Sequence, residues 1–159
     1  MIRAIVAIDE KRGMADEQAI PWHLPSDQKY FVDKTATGII LMGYGTYLEF
    51  KKPFHGRTNY VATTRTDQLR EGFIPVANSR QFLVEAKEDV WNIGGAGLLS
   101  STLDLNDELY ITQLVGDFHC TKFLPEYRDK FTLASSTPPA MENGITYSFQ
   151  IWKRLLRQG

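Results

Sequence analysis

Cysteine is almost missing from this chain. Cys120 is the single one in 159 residues, so no internal disulfide framework can form. A lone thiol suits a reducing compartment such as the cytosol. Neither sign of charge is in excess: 18 Lys and Arg stand against 19 Asp and Glu, for a net charge of −1. That balance offers no basic field to nucleic acid or to an anionic membrane. Long hydrophobic runs are absent, and nothing approaches the roughly 20 apolar residues that a membrane-spanning helix needs. The apolar opening Met1–Ile8 is stopped by Asp9-Glu10-Lys11, too early for a signal-peptide core. His23, His55 and His119 lie far apart without ligand spacing, so no metal is expected. The dinucleotide pattern G-x-G-x-x-G is also missing, which argues against a standard Rossmann unit.

What is present is an alternation of short β-branched runs with helix-like segments. Ile2–Ile8, Gly38–Met42, Asn59–Thr63, Val90–Ile93 and Leu109–Leu114 read as strands. Leu24–Thr35, Gly43–Phe50, Ser79–Ala86 and Gly97–Leu103 read as helices. Strands separated in this way predict βαβ units and an α/β domain with a largely parallel sheet. The tail from Phe131 predicts the last two strands. Its alternating Thr146–Trp152 segment fits an antiparallel hairpin at the sheet edge. With no repeat, low-complexity tract or linker, residues 1–159 read as one domain.

The most informative stretch is Ile20-Pro-Trp-His-Leu-Pro-Ser-Asp27 followed by Gln28-Lys-Tyr-Phe31. Pro25 can open a helix, because a first-turn position needs no N–H donor. Asp27 and Phe31 then share a face, with Leu24 one turn earlier. A carboxylate among Leu24, Phe31 and Trp22 is an anion in apolar company, which predicts a raised pKa. An ordinary first-turn acid is the competing reading.

The pattern Trp22-x-Leu24-Pro25-x-Asp27-x-x-x-Phe31 resembles the substrate helix of dihydrofolate reductases. Met42-Gly43 and Thr46, His55-Gly56-Arg57-Thr58-Asn59, Ile93-Gly94-Gly95, Leu109–Thr112 and Tyr147-x-Phe149 follow in the same order, so the resemblance covers essentially the whole chain. It implies a dihydrofolate reductase-like α/β fold: a central eight-stranded mixed sheet, mostly parallel, with an antiparallel C-terminal edge hairpin and about four flanking helices. It also implies an adenosine-binding subdomain over about 38–106 and a loop subdomain in the remainder.

The activity implied is reduction of 7,8-dihydrofolate to 5,6,7,8-tetrahydrofolate, with NADPH as cofactor, in support of one-carbon metabolism and thymidylate synthesis. Such an enzyme would be a cytoplasmic monomer that binds dihydrofolate and antifolate inhibitors, with no nucleic-acid or membrane partner. By the same resemblance Asp27, Trp22 and Thr112 are catalytic, with Thr112 bonded to the Asp27 carboxylate. Ile5, Phe31, Phe50, Phe54, Arg57 and Ile93 line the substrate pocket, and Arg57 forks onto the substrate's α-carboxylate. Ile5 and Ile93 would sit equally well in any sheet core.

On the cofactor side the resemblance assigns Ala7, Gly43, Thr46, Thr63, Thr64, Arg65, Ile93, Gly94, Gly95, Ala96, Gly97, Leu98 and Leu99. Adjacent glycines let a backbone approach a phosphate or a flat ring closely. Two hydroxyls beside a guanidinium at Thr63-Thr64-Arg65 suit a phosphate dianion. This chain departs from the family at Tyr44-Gly45 and Gly97, where relatives often carry cations. It also has Leu99 in place of a tyrosine, and Gln28 in place of an apolar residue. The polar segment Asp9–Ala19 reads as a mobile lid. Cys120 is expected where relatives carry the aspartate that braces the lid. The related reductase of riboflavin synthesis shares the glycine turn but lacks the Trp-x-Leu-Pro-x-Asp helix.

Overall fold

The computed structural model describes residues 1–65 and 69–155. In chain order the strands and helices are β1 (Ile2–Ile8), β2 (Gly13–Ala15), α1 (Pro25–Lys34), β3 (Ile39–Gly43), α2 (Tyr44–Glu49), β4 (Thr58–Ala62) and β5 (Phe73–Val76). There follow α3 (Ser79–Glu85), β6 (Val90–Asn92), α4 (Ala96–Thr102), β7 (Glu108–Leu114), β8 (Lys122–Phe123), β9 (Phe131–Ser136), β10 (Ala140–Glu142) and β11 (Ile145–Arg154). A 3₁₀ turn over Leu103–Leu105 closes α4.

The main sheet runs β10-β11-β7-β1-β6-β3-β4-β5, with β9 also paired to β11. β9 faces Gln150–Arg154 and β10 faces Ile145–Tyr147, so the two share one edge of β11 and nine strands fill the eight positions of the expected sheet. Strands β7-β1-β6-β3-β4-β5 are mutually parallel, whereas β11 pairs antiparallel with β7, β9 and β10, as the alternating tail predicts. Parallel strands covered on both faces need apolar residues on both faces. Ile40, Leu41 and Met42 on β3 are accordingly all 0% exposed. Ile40 and Met42 join a cluster with Ile5, Tyr47, Val61 and Trp91, whereas Leu41 joins Ile2, Leu83, Val90 and Leu98 on the other side.

Three elements depart from the sequence expectation. β5 contains Pro75, which argues against a strand, but β5 is the last strand of the sheet and proline is tolerated at an edge. The tail forms three strands instead of two, because Pro138-Pro139 interrupts the outer one. The supposed lid is partly ordered: Gly13–Ala15 pairs with Lys122–Phe123 in a separate two-stranded sheet.

Candidate functional site

The site is built at the carboxyl ends of the central parallel strands, where α/β sheets leave a crevice. On one side, α1 opens at Pro25 and places Asp27 in its first turn. Leu24, 2% exposed, anchors that entry against Leu114 and Tyr147. Thr112 on β7, 1% exposed, donates from Oγ1 to Asp27 Oδ1 at 2.6 Å. Burial raises the Asp27 pKa above that of an ordinary carboxyl, and the Thr112 bond opposes the rise without cancelling it. Tyr30, one turn along, stacks on Phe149 at 4.0 Å, and burial together with Tyr110 and Asp27 pushes its phenol up to about 12.

A cleft of about 350 Å³ opens over this carboxylate, lined in part by Ile20, Trp22, Leu24, Gln28 and Glu49. Trp22 stands edge-on to Phe118 at 5.3 Å. Farther along, Phe31 meets Phe54 at 5.4 Å and Phe50 meets Phe54 at 4.8 Å, and all three pack on the cluster holding Ile5 and Ile93.

Arg57 lies at the far end of α1. Its Nε donates to Thr35 O at 2.7 Å, Nη1 to His55 O at 2.8 Å and Nη2 to Val32 O at 2.8 Å. A guanidinium has five N–H donors, so one N–H remains on each terminal nitrogen: a fork held in place by backbone. Asn59, 1% exposed, shapes the loop by accepting from Phe54 N and donating to Phe54 O and Arg57 O.

On the opposite side, β6 ends at Asn92 and turns through Gly94–Gly95, joined by a cis peptide, into α4. Gly43 N–H donates to Gly94 O at 2.7 Å, tying the ends of β3 and β6 together. Asn92, wholly buried, accepts from Gly94 N at 3.3 Å and donates to Thr102 Oγ1 at 3.0 Å. A Cβ at Gly95 would lie 3.7 Å from Thr46 Oγ1, and at Gly45 or Gly97 it would meet nothing within 4 Å. The turn therefore presents bare backbone beside Thr46. Between it and Asp27 lies β1: Thr112 pairs with Ala7 on β1, and β1 pairs in turn with β6. Two strand spacings, about 10 Å, thus separate the two halves of the site.

Arg65 lies with its guanidinium carbon 4.9 Å from the Tyr44 ring centre, and its N–H donates to Thr63 Oγ1 at 3.1 Å. Thr64 lies beside it, exposed. Arg70 is committed elsewhere, donating to Tyr47 O and Phe50 O at the end of α2. Leu98 and Leu99 lie deeper than Gly95 and Gly97. Leu99 is 0% exposed and its N–H is bonded to Gly95 O, so it packs beneath the turn against Ile8 and Met14. The Leu98 side chain faces Leu41 and Val90 in the core, leaving only its backbone near the turn. Ala96 is half-buried at the first position of α4.

Beside the Asp9–Ala19 segment, Thr121 donates from N to Ala15 O at 2.9 Å and from Oγ1 to Glu17 Oε1 at 2.7 Å. Cys120 sits against Gly13, where a Cβ would come within 2.5 Å of its own. Burial and the Asp9 carboxylate push its thiol up to about 11, so it is no nucleophile. Asp9, 1% exposed, accepts from the N–H groups of Lys11, Gly13 and Phe118. The sequence reading missed Asp9, Asn59 and Asn92 as organisers. The available signal was a polar residue at the edge of a buried apolar run, which must find partners.

The family model for dihydrofolate reductase matches residues 1–154. The chain is 34% identical over 149 residues to dihydrofolate reductase of Staphylococcus aureus (strain N315), covering 91% of this chain and 92% of that one. It is 29% identical over 153 residues to dihydrofolate reductase of Bacillus subtilis (strain 168), covering 94% and 91%. A solved structure of Enterococcus faecalis dihydrofolate reductase complexed with NADP(H) and RAB-propyl superposes with a TM-score of 0.84 at 24% identity, covering 97% and 96%.

Proposed function

This chain belongs to the dihydrofolate reductase family, and from that premise we propose how its residues carry out NADPH-dependent reduction of 7,8-dihydrofolate to 5,6,7,8-tetrahydrofolate. NADPH, when bound, supplies a hydride from nicotinamide C4 to C6 of the pterin, and N5 takes a proton. The observation that carries the residue roles is the buried Asp27 carboxylate, held by Thr112 at the floor of an apolar cleft.

Asp27 binds the pterin N3 and 2-amino edge, which fixes the ring and raises the basicity of N5. Because N5 lies away from this carboxylate, water delivers the proton. Trp22 and Ile20 roof the cleft and keep bulk water from the reacting carbons. Ile5, Phe31, Phe50, Phe54 and Ile93 form its apolar walls, and Arg57 presents its remaining fork to the substrate's α-carboxylate.

The residues present fit a dinucleotide: bare backbone at Gly43, Gly94, Gly95 and Gly97, the Thr46 hydroxyl beside it and Ala7 beneath. Thr63, Thr64 and Arg65 hold the 2′-phosphate, with Tyr44 keeping the guanidinium in place. Residues 38–106 form the adenosine-binding lobe of a cytoplasmic monomer that also takes antifolates.

Absorbance at 340 nm, followed with NADPH and dihydrofolate together, tests the reaction. A decline that needs both compounds is expected. NADPH left unoxidised would overturn the catalytic reading and leave a pterin- or nucleotide-binding protein. Arg65→Ala should weaken NADPH binding about tenfold and leave NADH unchanged, as read by nicotinamide fluorescence titration. An equal loss for both would remove Arg65 from the 2′-phosphate.

A further inference from the structure

α1 has no N-terminal cap of its own, since Leu24 occupies the cap position without a side-chain acceptor. Within the first turn, Asp27 and Gln28 both donate to Leu24 O, and Pro25 has no N–H to place. Ser26 N–H is the donor left over, and its acceptor comes from the far end of the chain. Glu142 Oε1 accepts from Ser26 N at 2.9 Å, and Oε2 accepts from Ser26 Oγ at 2.6 Å. The next residue, Asn143, donates from Nδ2 to His23 O at 2.9 Å. Glu142 stands on a tight hairpin turn, with Asn143 at φ 52° and Gly144 at φ 75°, and pairs with Ile145. Both Ser26 bonds hold the Glu142 carboxyl below the usual range.

We propose that Glu142 is a positioning residue for Asp27: a helix cap lent by the β10–β11 hairpin that holds the first turn of α1 against β7. The proposal rests on the role given to Asp27 above. Ser26 immediately precedes Asp27, and both of its donors are engaged by one carboxylate. A carboxylate at a helix N-terminus satisfies an orphan N–H and is favoured by the helix dipole. With the turn held, Asp27 stays on Thr112 and away from bulk water. Around Asp27 stand Thr112 on β7, Tyr30 on α1 flanked by Tyr110, and Glu49 of α2 across the cleft. Glu142 faces Ser26 and His23.

The test compares Glu142→Ala, Glu142→Gln, Ser26→Ala and the Glu142→Ala/Ser26→Ala pair in the whole enzyme. Glu142→Ala should lower kcat about fivefold. It should also move the limb of the kcat–pH profile on which Asp27 ionises toward acid, because a frayed turn hydrates Asp27 and returns its pKa toward normal. KM for NADPH should not change. Glu142→Gln retains an oxygen for Ser26 N–H and should restore most of the rate. Ser26→Ala should add nothing in the Glu142→Ala background.

A wild-type rate and profile in Glu142→Ala, additive effects, or a lower melting temperature with an unmoved profile each overturn the proposal. Should Glu142→Ala fail to fold, Ser26→Ala, which removes the Oγ bond and leaves the N–H bond, carries the same comparison. Full turnover by Asp27→Asn would instead remove the role of Asp27 itself. An inert Glu142→Ala beside an inactive Asp27→Asn removes only the cap.

Discussion

Asp27→Asn should lower turnover at neutral pH by about 10² to 10⁴, the span expected when a group governing proton transfer is lost, and yet raise the melting temperature. The first effect follows from the loss of the anion that orients the pterin and makes N5 basic. The amide still accepts the Thr112 hydroxyl, so substrate binding should remain measurable.

The second effect follows from the direction of the pKa shift. Burial places the folded-state pKa of Asp27 above its unfolded value. Between those two values the folded protein binds more protons than the unfolded one, so stability falls as pH rises through the window. Above the folded pKa the ionised side chain is a standing cost, which the amide removes. A shift of one pKa unit corresponds to about 1.4 kcal/mol, or about 3–6 °C in a chain of this size. Calorimetry at pH 7 should show the gain, and the gain should vanish below the ordinary carboxyl pKa. Turnover equal to wild type, or a melting point unchanged at pH 7, would refute this account.

Arg57→Lys should raise KM for dihydrofolate about 10- to 100-fold with kcat nearly unchanged, since hydrogen bonds to charged groups contribute about 1.5–3 kcal/mol. Lysine keeps the charge but not the planar fork. It also cannot hold the carbonyls of Val32, Thr35 and His55 together, as Arg57 does. The expected signature is a split. A dihydropterin without the glutamyl tail should react at the same rate in both proteins, whereas the full substrate should not. If the tailless compound loses as much as dihydrofolate, Arg57 is acting through the fold alone.

The helix that carries Asp27 could be read locally because its determinants are local: Pro25 at the first position, Leu24 before it and Phe31 one turn later. β1 and β3 could be read because strands buried on both faces are almost wholly apolar, with Arg3 the one charged residue between them. β5 was hidden by Pro75, whose tolerance depends on being last in the sheet. The same limit applied to the packing of Leu99. Its N–H is taken by Gly95 and its side chain lies under Gly94. Nor could the sequence show that Thr121 bonds Ala15 O and Glu17, since those partners lie more than 100 residues away.

By itself, then, the order of residues determined the α/β class and the family and singled out the acid proposed to govern the chemistry, since periodicity, helix-start residues and motif spacing act over a few neighbours. Only the tertiary structure decided how that acid is held. The partners of Ser26, Asp27 and Gly94 lie on other elements, from two residues away at Asn92 to 116 away at Glu142. A hydrogen bond between segments distant in sequence leaves no periodic trace, because either residue would be equally ordinary without the other.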